Sequence, residues 1–167
     1  MLSFLFRGLT ADAPRGAAIF DAVTAEARRP SLYIEGQVPD TLDGRFAVLA
    51  TATALTLVRL EREGEAGDAL SVALTERFIQ VLESEHRELG LGDPTLGRTV
   101  RKLVGMLAKR TGLWRNAEDQ WIEATRESLY KGGVGDAALK HSAAELRRFA
   151  RRLDATPLDQ LEQGTIA

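Results

Sequence analysis

Glu83-Ser-Glu-His86 places a histidine and carboxylates at metal-binding spacing. On a helix, Glu and His three residues apart face the same way, as in the Glu-x-x-His element of di-iron bundles, but that chemistry needs a second copy on another helix. The other histidine, His141, has Ala138 three residues before it, so the pair is incomplete and His86 reads as an exposed helical histidine. Asp119, Glu123 and Glu127 recur every four residues, which lines them along one face of a single helix. Carboxylates do acid–base work only in a cleft that drives their pKa values apart, so a solvated acidic face is expected here. Gly133-Val-Gly-Asp-Ala-Ala138 fits the dinucleotide fingerprint G-x-G-x-x-A. That fingerprint works only when a strand delivers the glycines under a helix N-terminus. The preceding segment, Trp114 to Tyr130, reads as helix, so the glycines serve as a stop followed by a new start. Trp114 and Trp121 sit seven apart on one helical face, a spacing of core or inter-helix packing, although tryptophan is also enriched in binding hot spots. No serine elbow or P-loop appears, and with no cysteine there is neither a disulfide nor a thiolate metal site. The residues predict no catalytic group, no metal and no cofactor.

The elements that carry these residues are helical. Ala, Leu, Glu and Arg dominate, and no two-residue hairpin turn joins alternating runs. Punctuation predicts helices over 15–28, 41–62, 67–88, 94–111, 114–131 and 137–153, with a short one from 157. Asp40 after Pro39 caps the second, with Asp43 completing a weak capping box, and Asp136 caps another start. Asp93-Pro94 and Thr156-Pro157 place proline at a first helical position. Glycines 64, 90, 112 and 132–133 fit the stops. The expected fold is all-α, a single compact bundle of about six helices plus a short C-terminal one. Residues 1–13 are expected to form a mobile N-terminal arm and 14–167 one helical domain.

The run from Phe46 to Val58 reaches about 20 Å as a helix, against about 30 Å of bilayer hydrocarbon, so it cannot span and reads as a buried helix. The net charge of -2 argues against general nucleic-acid binding, and no specific DNA contact is expected. Charge is nevertheless segregated. Nine acids and three bases lie between Glu61 and Asp93, while five bases and no acid lie between Arg98 and Arg110. Arg98, Arg101, Lys102 and Lys109 fall together opposite the leucine stripe of their helix, and Lys140, Arg147, Arg148 and Arg151 do the same later. Such faces are either solvated or dock an acidic partner, ribosomal RNA or an anionic membrane. The apolar Met1-Leu-Ser-Phe-Leu-Phe6 is too short for a secretory signal, and a cytoplasmic bacterial protein is the simplest reading.

One stretch exceeds what helix-making requires: Ala27-Arg-Arg-Pro30, Leu32-Tyr33, then Val38-Pro-Asp-Thr-Leu-Asp-Gly-Arg-Phe46. Pro39 stiffens the approach, Asp40 caps, and Gly44 permits close approach inside a helix at a cost of about 1 kcal/mol. Arg45 can lock the loop by a bidentate pair with Asp40 or Asp43. These residues predict a rigid elbow feeding a mostly buried helix. The segment resembles the signature of the ubiquinol–cytochrome c chaperone family. Leu89-Gly-Leu-Gly-Asp93, Gly97 and Arg101-Lys102 are similar to that family's second block, and the resemblance covers residues 17 to 135. Where the family pattern has large apolar residues and a histidine in the middle of the second helix, this chain has the smaller Ala50-Thr-Ala-Thr-Ala54.

The resemblance implies a cofactor-free, all-helical, non-enzymatic protein that holds newly synthesised cytochrome b during assembly of the bc1 complex, complex III of the respiratory chain. An apolar groove that covers a client helix would have Tyr33, Leu42, Phe46 and Leu49 as walls. The basic face at 98–109 would hold the domain at the ribosome exit region or at the anionic inner membrane, where it would be peripheral. A peripheral scaffold module without a specific client is the alternative.

Overall fold

The structure is a computed structural model and describes residues 13–90 and 93–167. Thirteen of the twenty residues of the central helix are buried, and the rest of the fold is arranged around it. In chain order the helices are α1 (Ala13–Ala27), α2 (Pro30–Ile34), α3 (Leu42–Glu61), α4 (Glu65–Glu88), α5 (Asp93–Arg115), α6 (Trp121–Leu129), α7 (Asp136–Ala155) and α8 (Leu158–Glu162). No strand occurs among the described residues, so the all-α expectation holds. The expected arm at residues 1–13 and the apolar Met1–Phe6 fall almost wholly outside them.

Helix α3 touches α1, α4, α5, α6 and α7. The Ala50–Ala54 stretch lies entirely inside, so its small side chains let neighbouring helices come close. Its polar atoms are satisfied locally: the hydroxyls of Thr51, Thr53 and Thr56 each donate to the carbonyl four residues back, at 2.7 to 2.9 Å. Arg59, also buried, donates to Leu153 O and Thr156 O at 3.1 Å and pairs with Glu63 at 2.6 Å, tying the end of α3 to the end of α7. The surrounding core is one cluster drawing on α1 through α8, with Ile19, Leu60, Leu74, Phe78, Phe149 and Leu161 among its fully buried members.

Several expected boundaries move, each for a local reason. Helix α3 starts one residue late because Thr41, not Asp40, is its cap: Thr41 Oγ1 accepts from Gly44 N at 3.1 Å. Asp40 is diverted to Arg45. Gly112 does not stop α5, since buried Thr111 and Trp114 on either side hold the helix against the core. The stop is Asn116, whose side-chain amide donates to the Gly112 carbonyl at 2.9 Å. The helix expected over 114–131 therefore shrinks to α6. Helix α7 has Gly135 at its cap position with Asp136 inside the first turn, where its charge favours the helix dipole without a capping hydrogen bond. Helix α2 had no signal in periodicity, being five residues long, but it begins at Pro30 in the position proline prefers.

The candidate chemical groups are dispersed. His86 Nδ1 turns back to Leu82 O at 2.7 Å, and no group of potential metal ligands occurs among the described residues. Asp119, Glu123 and Glu127 do not share a helix: Asp119 lies in the turn before α6, Glu123 pairs with Arg126, and Glu127 pairs with Lys109. Gly133 and Gly135 follow a helix, not a strand, so the fingerprint is a coincidence of spacing. The two tryptophans stand on different helices and meet edge to face, 4.8 Å between centroids, with Trp121 Nε1 donating to Ala143 O at 2.9 Å. They act in packing, as expected, but across a turn instead of along one face.

Candidate functional site

The segment from Ala27 to Phe46 folds as an elbow: a short helix, a tight loop, then the start of α3. Pro30 opens α2, Leu32 drives it inward, and Tyr33 returns its hydroxyl to Ala27 O at 2.8 Å. Burial, followed by the charge of Asp40, pushes the Tyr33 phenol up from its usual pKa and keeps it a neutral donor. The loop closes with Gly36 N to Ser31 O at 2.9 Å and Val38 N to Leu32 O at 3.1 Å, and Gln37 takes a left-handed φ of 52° between them. Val38 is buried and pins the loop.

Side chains from distant helices lock this shape. The Tyr130 hydroxyl donates to Gly36 O at 2.5 Å, and since that uses its proton, Ser142 donates to the Tyr130 oxygen at 2.7 Å. A Cβ on Gly36 would meet Ser142 Oγ at 2.3 Å. At the other end a Cβ on Gly44 would lie 1.8 Å from Pro39 O, so the close approach read from the sequence is real. Arg45 Nε holds Asp40 at 2.6 Å through a single contact, not a bidentate one, and its hydrogen bond draws the Asp40 carboxyl below its usual pKa. Lys131 takes Asp43 at 2.8 Å and lowers that carboxyl in the same way. Where α1 gives way to the elbow, charges alternate: Arg152 holds Glu26 at 2.8 Å, Arg29 bridges Glu26 and Glu145, and Arg148 pairs with Glu145. Glu145 is buried, so this chain of pairs fastens the base of the elbow to α7.

The four candidate wall residues differ in exposure. Leu42 is 75% exposed, whereas Phe46 and Leu49, one and two turns along the same face, are partly buried against the core. The Phe46 ring lies 6.2 Å from Phe78, and the Arg110 guanidinium stands 5.9 Å from its centroid. Tyr33 is half-buried with its hydroxyl engaged. Ile34, 68% exposed at the end of α2, is a second large apolar side chain on the elbow. The sequence reading missed Ile34, whose helix was too short to show a face, and Tyr130, whose contact spans 94 residues. Of the basic face, Arg98, Arg101 and Lys102 are exposed and in no ion pair among the described residues, while Lys109 pairs with Glu127 at 3.2 Å. Two surface depressions, of about 340 and 260 Å³, lie at the α5–α6 turn and include no elbow residue.

Tyr130→Phe tests the lock. It strands the Gly36 carbonyl, and a loss of about 1–2 kcal/mol is expected in urea unfolding. Burial raises the Tyr130 pKa, so the unfolded phenol ionises first. The hydroxyl's contribution is therefore complete below the ordinary value near 10 and disappears as pH rises through the raised folded value. The gap between wild type and Tyr130→Phe should narrow above about pH 10 and stay constant below about pH 9.

Comparison with known proteins agrees with this architecture. The family described as ubiquinol-cytochrome C chaperone matches residues 35–167, which begins inside the elbow and runs past the two sequence blocks to the C-terminal helices. The crystal structure of the Cbp3 homolog from Brucella abortus is similar to this chain with a TM-score of 0.76 and 26% identity, covering 100% of this chain and 96% of that one. No curated protein matches the sequence. With four-fifths of its length matched, the chain belongs to the ubiquinol–cytochrome c chaperone family, and its role is that of a chaperone in assembly of the bc1 complex.

Proposed function

We propose that the protein binds newly made cytochrome b at the elbow and shields its apolar helices until the complex assembles, without chemistry of its own. A membrane protein awaiting its partners exposes apolar helix surface that aggregates. A soluble surface that lays an apolar edge along such a helix prevents this, as helix-in-groove recognition does elsewhere. The observation that supports the reading is the contrast within the elbow: Tyr33, Thr41 and Tyr130 tie its backbone by hydrogen bonds, while Ile34 and Leu42 remain largely exposed. A rigid presenter of apolar side chains loses little conformational freedom on binding. Tyr33, Phe46 and Leu49 form the backing of that edge.

The test is capture of nascent membrane proteins on the tagged full chain. Cytochrome b should be enriched over other membrane proteins. Ile34→Asp with Leu42→Asp should reduce the captured cytochrome b by about fivefold or more, the scale of losing interface anchors. Both side chains are exposed, so thermal stability should hardly change. Equal recovery of unrelated membrane proteins would remove the client from this account.

A further inference from the structure

Ile34 and Leu42 of the elbow are not the only large apolar side chains left exposed: Val72 lies on α4, Leu89 directly after it and Val104 on α5. Both helices pack on α3 and on each other, and four residues separate them, so they form an antiparallel pair. At 100° per residue, Val72 falls among Glu65, Asp68 and Glu76, on the side of α4 opposite its buried Leu70, Leu74 and Phe78. Arg87, near the C-terminal end, is the one exposed base on that arc. On α5 the outward arc, opposite Leu103, Leu107 and Trp114, carries Arg98, Arg101 and Ala108, with Val104 at its edge. None of these acids and arginines takes part in an ion pair among the described residues. Side by side, the two helices therefore present one outer face with an acidic half, a basic half and valines between the charges.

We propose that a second copy of this chain covers the face in a two-fold dimer, with α4 of each copy lying on α5 of the other. A face divided into an acidic and a basic half is self-complementary under a two-fold axis running between the two helices, because the rotation exchanges the halves. Each acidic arc then meets a basic one, and Val72 and Val104 enter the buried middle of the contact. The helices are 24 and 23 residues long. Two of that length side by side offer a face of about 35 by 20 Å, roughly 700 Å² per copy, near the roughly 800 Å² per partner that stable complexes bury. A polyanion such as a nucleic acid is drawn to the α5 half and repelled by the α4 half, so it does not cover both. The elbow belongs to neither helix, so the dimer carries two of them, and the proposal does not depend on which client they hold.

Sedimentation equilibrium of the full chain over roughly 1 to 100 µM, at an ionic strength of about 0.1 M, tests it. The mass should rise from one chain toward two as concentration increases. Arg98→Glu with Arg101→Glu should weaken self-association about tenfold or more, and so should Asp68→Lys with Glu76→Lys, because each sets like charges against like. An equimolar mixture of these two variants should associate again: the reversed α5 of one meets the reversed α4 of the other, and the two unchanged helices meet as before. Lys140→Glu with Arg151→Glu changes the net charge equally on the exposed face of α7 and should have little effect. Circular dichroism and melting of each variant establish that it is folded. Three results overturn the proposal: the mass of one chain at every concentration, which would leave the face to another protein or to residues 1–12; equal losses from the α5 and α7 reversals; or a mixture of the α4 and α5 reversals no more associated than either alone.

Discussion

Gly44→Ala is expected to cost about 3 kcal/mol or more, and about 6–12 °C in melting temperature. The added methyl would sit 1.8 Å from Pro39 O and 2.9 Å from Pro39 C, so the atoms it meets are backbone and cannot rotate away. Proline stiffens that backbone, and moving it disturbs the cap in which Thr41 accepts from the Gly44 amide, worth about 1 kcal/mol by itself. Gly105→Ala is the matched control. That glycine is also helical but has open space where the Cβ would go, so the substitution should stabilise by about 0.5–1 kcal/mol. Urea titrations of both variants separate helix propensity, which favours alanine at each site, from the close approach that forbids it at one. A Gly44→Ala protein as stable as wild type would mean that the elbow is not held tightly.

Phe78→Ala is the second large effect, about 3–5 kcal/mol. Phe78 is fully buried on α4, with its ring 6.2 Å from Phe46. Its removal opens a cavity under Phe46, the partly buried member of the proposed client edge, and the cost is the lost transfer energy plus whatever part of the cavity does not collapse. Phe78→Leu, which keeps most of the volume, should recover much of the loss. The pair also distinguishes stability from presentation: under conditions where Phe78→Ala remains folded, client capture should still fall, because Phe46 has lost its floor. Capture unchanged in the folded variant would mean that Phe46 takes no part in presenting the edge.

What could be read from the sequence was whatever depends on short-range order. The apolar run beginning at Phe46 announced a helix buried on most sides, and α3 is that helix. Pro39, Gly44 and Arg45 announced a constrained elbow, because a stiff residue, a residue without a side chain and a fork-shaped donor within seven positions have few other joint uses. What could not be read depends on contacts far along the chain. Asp40 looked like a cap by position, but Thr41 competes for the same job and Arg45 draws Asp40 away. Gly112 looked like a stop because glycine lowers helix propensity by about 1 kcal/mol, a deficit that burial of Trp114 outweighs. Tyr130 gave no sign of its role, since its partner is a carbonyl that the sequence places 94 residues away.

The same logic applies to the candidate walls. Leu42, Phe46 and Leu49 share one face of α3, but their positions in the sequence carry no information about how deep each sits. Depth comes from α4 and α5, which cover Phe46 with Phe78 and Arg110 and leave Leu42 open. The basic stripe was legible as a stripe. Its position beside the elbow was not, because Lys102 and Asp43 are brought together only by the packing of α5 on α3.

The claim on which this account rests is that the elbow edge is where the client lies. Site-specific photocrosslinking measures that directly, with a photoreactive residue at Ile34 or Leu42 and, as a control, at Val72 of α4, which is also exposed, in cells that are synthesising cytochrome b. Adducts with cytochrome b are expected from both elbow positions and none from Val72. Adducts from Val72 as strong as those from the elbow, or elbow adducts that contain only other proteins, would contradict it.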